Sequence, residues 1–113
     1  MAARNGLNYF STTVTNSVQA IAGAGGRQIF GYDLYNNNSA QAYVQIFNQI
    51  AANVVLGTTV PDLVIVLPAN GGRNVSYQMR GISFSNALSV AVTSTRTGSS
   101  AMSNAADVSI FYL

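Results

Sequence analysis

Between Pro61 and Pro68 the chain runs Asp62-Leu63-Val64-Ile65-Val66-Leu67, and this stretch restricts the available folds more than any other. Proline lacks a backbone N–H and has a fixed φ, so it sits poorly inside a sheet ladder. The two prolines therefore bracket an element. Inside the bracket the β-branched Val64, Ile65 and Val66 suit a pleated surface better than a helix. Alternation sends Leu63, Ile65 and Leu67 to one face and Val64 and Val66 to the other. A strand apolar on both faces needs cover on both. An opposing sheet of the same domain covers one face. The other is expected to meet a second copy of the chain, which makes Val64 and Val66 the candidate subunit-interface residues.

The same β grammar continues on both sides. Phe30, Tyr32 and Leu34 alternate with Ile29, Gly31, Asp33 and Tyr35. The turn-forming run Asn36-Asn37-Asn38-Ser39-Ala40 follows, then Tyr43, Gln45 and Phe47 alternate with Ala42, Val44 and Ile46. Two alternating runs around a short polar loop predict a hairpin. A short strand is expected over residues 53–57. Asn70, Gly71 and Gly72 predict a turn using the positive φ open to glycine. Weaker strands follow over residues 74–79 and 82–85, then a cleaner one over 88–93. Residues 95–106 form a small-residue loop, and the chain closes on a docked strand through Val108, Ile110 and Tyr112. About seven strands and no capped amphipathic helix predict an all-β antiparallel sandwich, jelly-roll or immunoglobulin-like.

Residues 1–26 differ. They are rich in Ser, Thr, Asn, Gly and Ala, with scattered apolar residues and a glycine run at 23–26. This predicts an extended N-terminal arm with a glycine hinge (1–26) ahead of a sandwich body (27–113). Leu7, Tyr9 and Phe10, wasted on a solvated tail, together with Arg27, are the candidate contacts to a larger partner. Deleting the arm is expected to leave the body folded.

The chemistry is sparse. The 113 residues include no cysteine, histidine, lysine or glutamate, and only 7% are charged against about a quarter in an ordinary soluble domain. Without His, Lys or Cys the usual activation of a serine nucleophile is missing. Asp33, Asp62 and Asp107 form no metal-ligand motif, and the glycines at 23–26 lack the Gly-Lys-Ser/Thr ending of a phosphate loop. No enzyme activity, metal or cofactor is expected. The five arginines form no basic stripe, so a nucleic-acid partner is not expected. No apolar run approaches the roughly 18 residues of a membrane helix, and the first residues do not resemble a signal peptide, so a soluble product of the cytoplasm is expected. Tyr32, Tyr35, Tyr43 and Phe47 could form an aromatic platform for sugars, although core packing accounts for the same residues. Low charge and 49% apolar composition favour self-association.

Several segments are similar to small β proteins from the virion structural genes of tailed bacteriophages: Tyr32-Asp33-Leu34-Tyr35-Asn36, Tyr43-Val44-Gln45-Ile46-Phe47-Asn48, Leu67-Pro68-Ala69-Asn70-Gly71-Gly72 and Arg80-Gly81-Ile82-Ser83-Phe84-Ser85, with the closing Ile110-Phe111-Tyr112. The likeness is one of cadence over the last three quarters of the chain and carries no chemical motif. It implies a head decoration (cement) protein on the capsid exterior, acting as a homotrimer that clamps neighbouring major capsid subunits. A carbohydrate- or receptor-binding module of a head or tail fibre is the alternative it leaves open.

Overall fold

The computed structural model describes residues 7–76 and 81–113. Among these are nine strands: β1 (Asn8–Val14), β2 (Gln19–Ala22), β3 (Arg27–Tyr35), β4 (Ala42–Phe47), β5 (Leu63–Leu67), β6 (Gly72–Ser76), β7 (Ile82–Phe84), β8 (Leu88–Thr93) and β9 (Ala106–Tyr112). They form two antiparallel sheets. The first has the order β1-β9-β3-β6, with β7 also on β3; the second has the order β2-β8-β4-β5.

The pairing is nested. β1 pairs β9, β2 pairs β8, β3 pairs β6 and β7, and β4 pairs β5. The first half of the chain thus runs against the second half in reverse order, like one long hairpin. Rolling that hairpin up adds the β3–β9 and β4–β8 pairs that complete the sheets. This arrangement is a jelly roll and resolves the choice between the two sandwich topologies.

Each sheet sends one face inward. Ile29, Leu34, Val108 and Ile110 from the first meet Val44, Ile46, Leu67, Val90 and Val92 from the second, all essentially without solvent contact. The bracketed strand is β5, at an edge of the second sheet. Ile65 and Leu67 lie in this core and Leu63 packs against it, so Val64 and Val66 face outward and are half-buried.

Five local expectations are corrected. The arm expected over residues 1–26 is part of the sandwich from Asn8 onward: β1 and β2 sit one in each sheet, and Val14, Ile21 and Ala22 lie in the core. The glycine run is a tight β2–β3 turn, with Gly25 at φ 128° and its N–H donating to the Asn86 carbonyl at 2.7 Å. The β3–β4 hairpin does not form, because the two strands belong to different sheets. The intervening asparagines make a corner. Asn36 Nδ2 donates to the carbonyls of Ala40 and Pro68, and Asn38 Oδ1 accepts from the Asn104 N–H at 2.7 Å. Residues 53–57 are not a strand: Asn53 ends a turn of 3-10 helix, and a turn begins at Leu56. At Asn70-Gly71-Gly72 the positive φ falls on Asn70, at 48°. Gly72 is needed for close approach instead, since a Cβ there would lie 2.3 Å from the Leu34 carbonyl oxygen. The strand expected over 74–79 is described as far as Ser76, and its remainder lies outside the described residues.

Candidate interaction surfaces

The outer face of the second sheet is largely covered by its own chain. Gln45 and Phe47 on β4, and Ser89, Ala91 and Thr93 on β8, point away from the core yet are buried. Two crossings cover them. Residues 94–105 come from one end, with Gln45 Nε2 donating to Thr93 Oγ1 (2.7 Å) and to the Gly98 carbonyl (3.0 Å). Residues 48–62 come from the other, where Ser89 Oγ donates to the Gln49 carbonyl at 2.9 Å. The crossings meet where a Cβ at Gly57 would lie 3.5 Å from Ser99 Oγ. At the uncovered margin, Tyr43 on β4 is opposite Val66 on β5, and the Arg96 guanidinium sits 5.8 Å from the Tyr43 ring centroid.

The crossing over residues 48–62 is itself apolar on its outside. Val60 is 78% exposed, Val55 60% and Ile50 37%. The backbone beneath them is internally bonded. One turn of 3-10 helix spans Ala51–Asn53, and the Thr58 and Thr59 N–H groups both donate to the Val55 carbonyl. Asn48 anchors the base: its N–H donates to Asp62 Oδ2 and its Oδ1 accepts from the Asn86 N–H, each at 2.7 Å. Three greasy side chains are thus held outward on a braced support.

The outer face of the first sheet is organised differently. Register places Tyr9, Phe111, Gly31 and Ser76 in one transverse row across β1, β9, β3 and β6. The next row is Ser11, Ser109, Asp33 and Asn74, and a third is Thr13, Asp107, Tyr35 and Gly72. The Tyr9 and Phe111 rings stack, with centroids 4.8 Å apart and planes at 30°. A groove of about 630 Å³ runs over the first two rows. The Tyr9 phenol titrates below its ordinary range, first because of its hydrogen bond with Ser109 and second because of Ser11.

Leu7 and Tyr9 line this groove, whereas Phe10, next in β1, packs toward the core. Arg27 lies at the opposite end of β3 from Tyr35; its Nη2 reaches the Gly23 carbonyl at 3.5 Å, and its buried Nε has no partner among the described residues. The four expected contact residues therefore do not form one patch. Tyr32, Tyr35, Tyr43 and Phe47 do not form the aromatic platform weighed against core packing. Tyr32 and Phe47 are buried, and Tyr35 and Tyr43 stand on different sheets. In the sequence Val55 reads as part of a strand over residues 53–57 and Val60 falls in the connection after it, so neither is marked as exposed. The transverse rows exist only through pairing between distant strands. Among the described residues no group of three or more His, Cys, Asp or Glu could hold a metal, and no helix is long and apolar enough to cross a membrane.

Comparison with family models, with curated proteins and with solved structures finds no match.

Proposed function

We propose that the chain is a non-enzymatic structural module that binds the exterior of a tailed-phage head and bridges major capsid subunits, working as a homotrimer. The observation that supports this reading is the braced apolar crossing with Ile50, Val55 and Val60 turned outward. Burying a valine side chain contributes roughly 1.5–3 kcal/mol. A rigid support lowers the ordering cost of docking. A trimer presents the crossing three times, so modest affinity per copy becomes firm attachment to a shell. Val64 and Val66, at the partly uncovered margin beside Tyr43, are the proposed contacts between copies. The jelly roll hosts both capsid and lectin domains, so the fold alone does not decide. The surface carries the reading.

Mass spectrometry and cryo-electron microscopy of virions of the encoding phage test it. The reading expects the chain as a stoichiometric head component, in trimers at junctions between capsid subunits. Its absence from virions, or its location in the tail, would overturn it.

A further inference from the structure

The outer face of the first sheet is not used by the reading above, and its chemistry differs from that of the apolar crossing. The geometry points to a binding site for a neutral saccharide on this face, seated across the Tyr9–Phe111 row and the Ser109–Asp33–Asn74 row. Three features carry the assignment.

The first is shape. The groove's volume of about 630 Å³ falls within the range of small-ligand sites, roughly 300–1,000 Å³. Part of its floor is bare backbone: Gly31 stands between Phe111 and Ser76, and a Cβ there would come 2.8 Å from the Val75 carbonyl oxygen. Any side chain larger than hydrogen would strain the β3–β6 approach as well as raise the floor.

The second is the pairing of chemistries. Tyr9 and Phe111 stack on one another and both line the groove, so the ring surface left uncovered offers an apolar wall against which the C–H groups of a pyranose ring can pack. One row away, about 7 Å along the strands, Asp33 stands directly opposite both Ser109 and Asn74. Neighbouring strands lie about 4.8 Å apart, so these three groups are spaced to reach separate, non-adjacent hydroxyls of a saccharide laid across the strands. The Asp33 carboxylate and the Asn74 carboxamide make no side-chain hydrogen bond among the described residues, whereas Ser109 is already tied to Tyr9 and Ser11. Two polar groups thus stand ready beside an apolar platform. A carboxylate accepts hydrogen bonds from vicinal hydroxyls, and a carboxamide both donates and accepts.

The third is charge. Asp33 and Asp107 stand on this face. Of the arginines among the described residues, Arg73 reaches the Val66 carbonyl of the other sheet at 2.7 Å, Arg96 lies over Tyr43, and Arg27 turns to Gly23. Among the described residues Asp33 lines the groove and no arginine does, so the ligand class the groove favours is neutral.

A glycan array of neutral, uronate, sialylated and sulfated oligosaccharides, followed by amide chemical-shift mapping with the best neutral hit, tests this. Binding to at least one neutral glycan is expected, with shifts concentrated at Tyr9, Asp33, Asn74, Ser109 and Phe111. Asp33→Ala and Asn74→Ala change exposed side chains and should leave the thermal transition in place while weakening binding about tenfold or more. Tyr9→Ala should weaken it too. No binding to any neutral glycan, preference for anionic glycans, shifts confined elsewhere, or full binding by both Asp33→Ala and Asn74→Ala would each overturn the assignment. So would a basic peptide that occupies the groove while neutral glycans do not, since that would make the acids a protein-docking feature. None of these outcomes bears on whether the chain attaches to a head.

Discussion

Tyr9 stacks on Phe111 across 102 positions of sequence, ring centroids 4.8 Å apart, so the start of the described chain is fastened to its end on the outer face of the first sheet. Below them Ser11 and Ser109 share a hydrogen bond at 2.9 Å. The β1–β9 pair is the outermost layer of a nested hairpin, and closing it brings the first and last described strands together.

That fastening reverses the expectation for the N-terminal segment. Truncation through Ala22 removes one edge strand from each sheet together with the buried Val14 and Ile21. The truncated chain should fail to fold cooperatively. The milder Ile21→Ala should lower stability by about 2–5 kcal/mol, read from urea denaturation. A truncated chain with an unchanged unfolding transition would return these residues to the status of an arm.

Gln45 latches the crossing of residues 94–105 onto the second sheet, with Nε2 bonded to Thr93 and Gly98 and the side chain fully buried. Gln45→Leu leaves the Gly98 carbonyl without that donor, so a loss of about 1–3 kcal/mol is expected. Faster amide exchange and proteolysis should appear in the crossing, with the strands still protected. Uniform destabilisation without local opening would show that the latch is not local.

At Gly72 the need is proximity. A Cβ would stand 2.3 Å from the Leu34 carbonyl oxygen, which is backbone and has little room to move. Gly72→Ala should force β6 away from β3, with a stability loss at or above the ~1–3 kcal/mol typical of overpacking. Loss of protection at the Asn74–Asp33 rungs would report it by hydrogen exchange.

The Tyr9 phenol releases its proton more readily than an ordinary tyrosine, chiefly through Ser109 and then Ser11. In an ultraviolet pH titration its transition should come below those of unperturbed tyrosines, vanish in Tyr9→Phe and move upward in Ser109→Ala. The sign for stability follows. A folded-state pKa below the unfolded value favours folding on the alkaline side of the tyrosine range, and that contribution fades as pH falls through the folded pKa. Ser109→Ala should therefore lose stability relative to the parent only at alkaline pH through this route.

How much was legible in the sequence differs from strand to strand. Residues 63–67, 88–93 and 106–112 announce themselves because their alternation or proline brackets are local. β1 does not. As an edge strand it carries Tyr9, Ser11 and Thr13 on its outer face and Thr12 beside Phe10 and Val14 on the inner one, so the apolar signal is diluted. The β3–β4 connection looks like a hairpin because a polar five-residue turn serves a hairpin and a corner between sheets equally well. The placement of β3 and β4 in different sheets shows which it is, and the Asn36–Asn38–Asn104 bonds between distant loops hold the corner. The second face of β5 was expected to require another chain. The chain's own crossings supply cover to β4 and β8 next to it, which no periodicity within a single strand can reveal. The rows on the first sheet depend on register among strands up to a hundred residues apart.

The proposed attachment to a shell runs through the crossing with Val55 and Val60. Co-sedimentation of the purified protein with heads that lack it measures this directly, comparing the parent chain with Val55→Asp/Val60→Asp. Both side chains are largely exposed, so the double variant should keep the parent's thermal transition and oligomeric mass, a multiple of the 11.8 kDa chain. Saturable binding of the parent and loss of most binding in the variant are expected. A folded variant that binds heads as well as the parent would contradict attachment through this crossing.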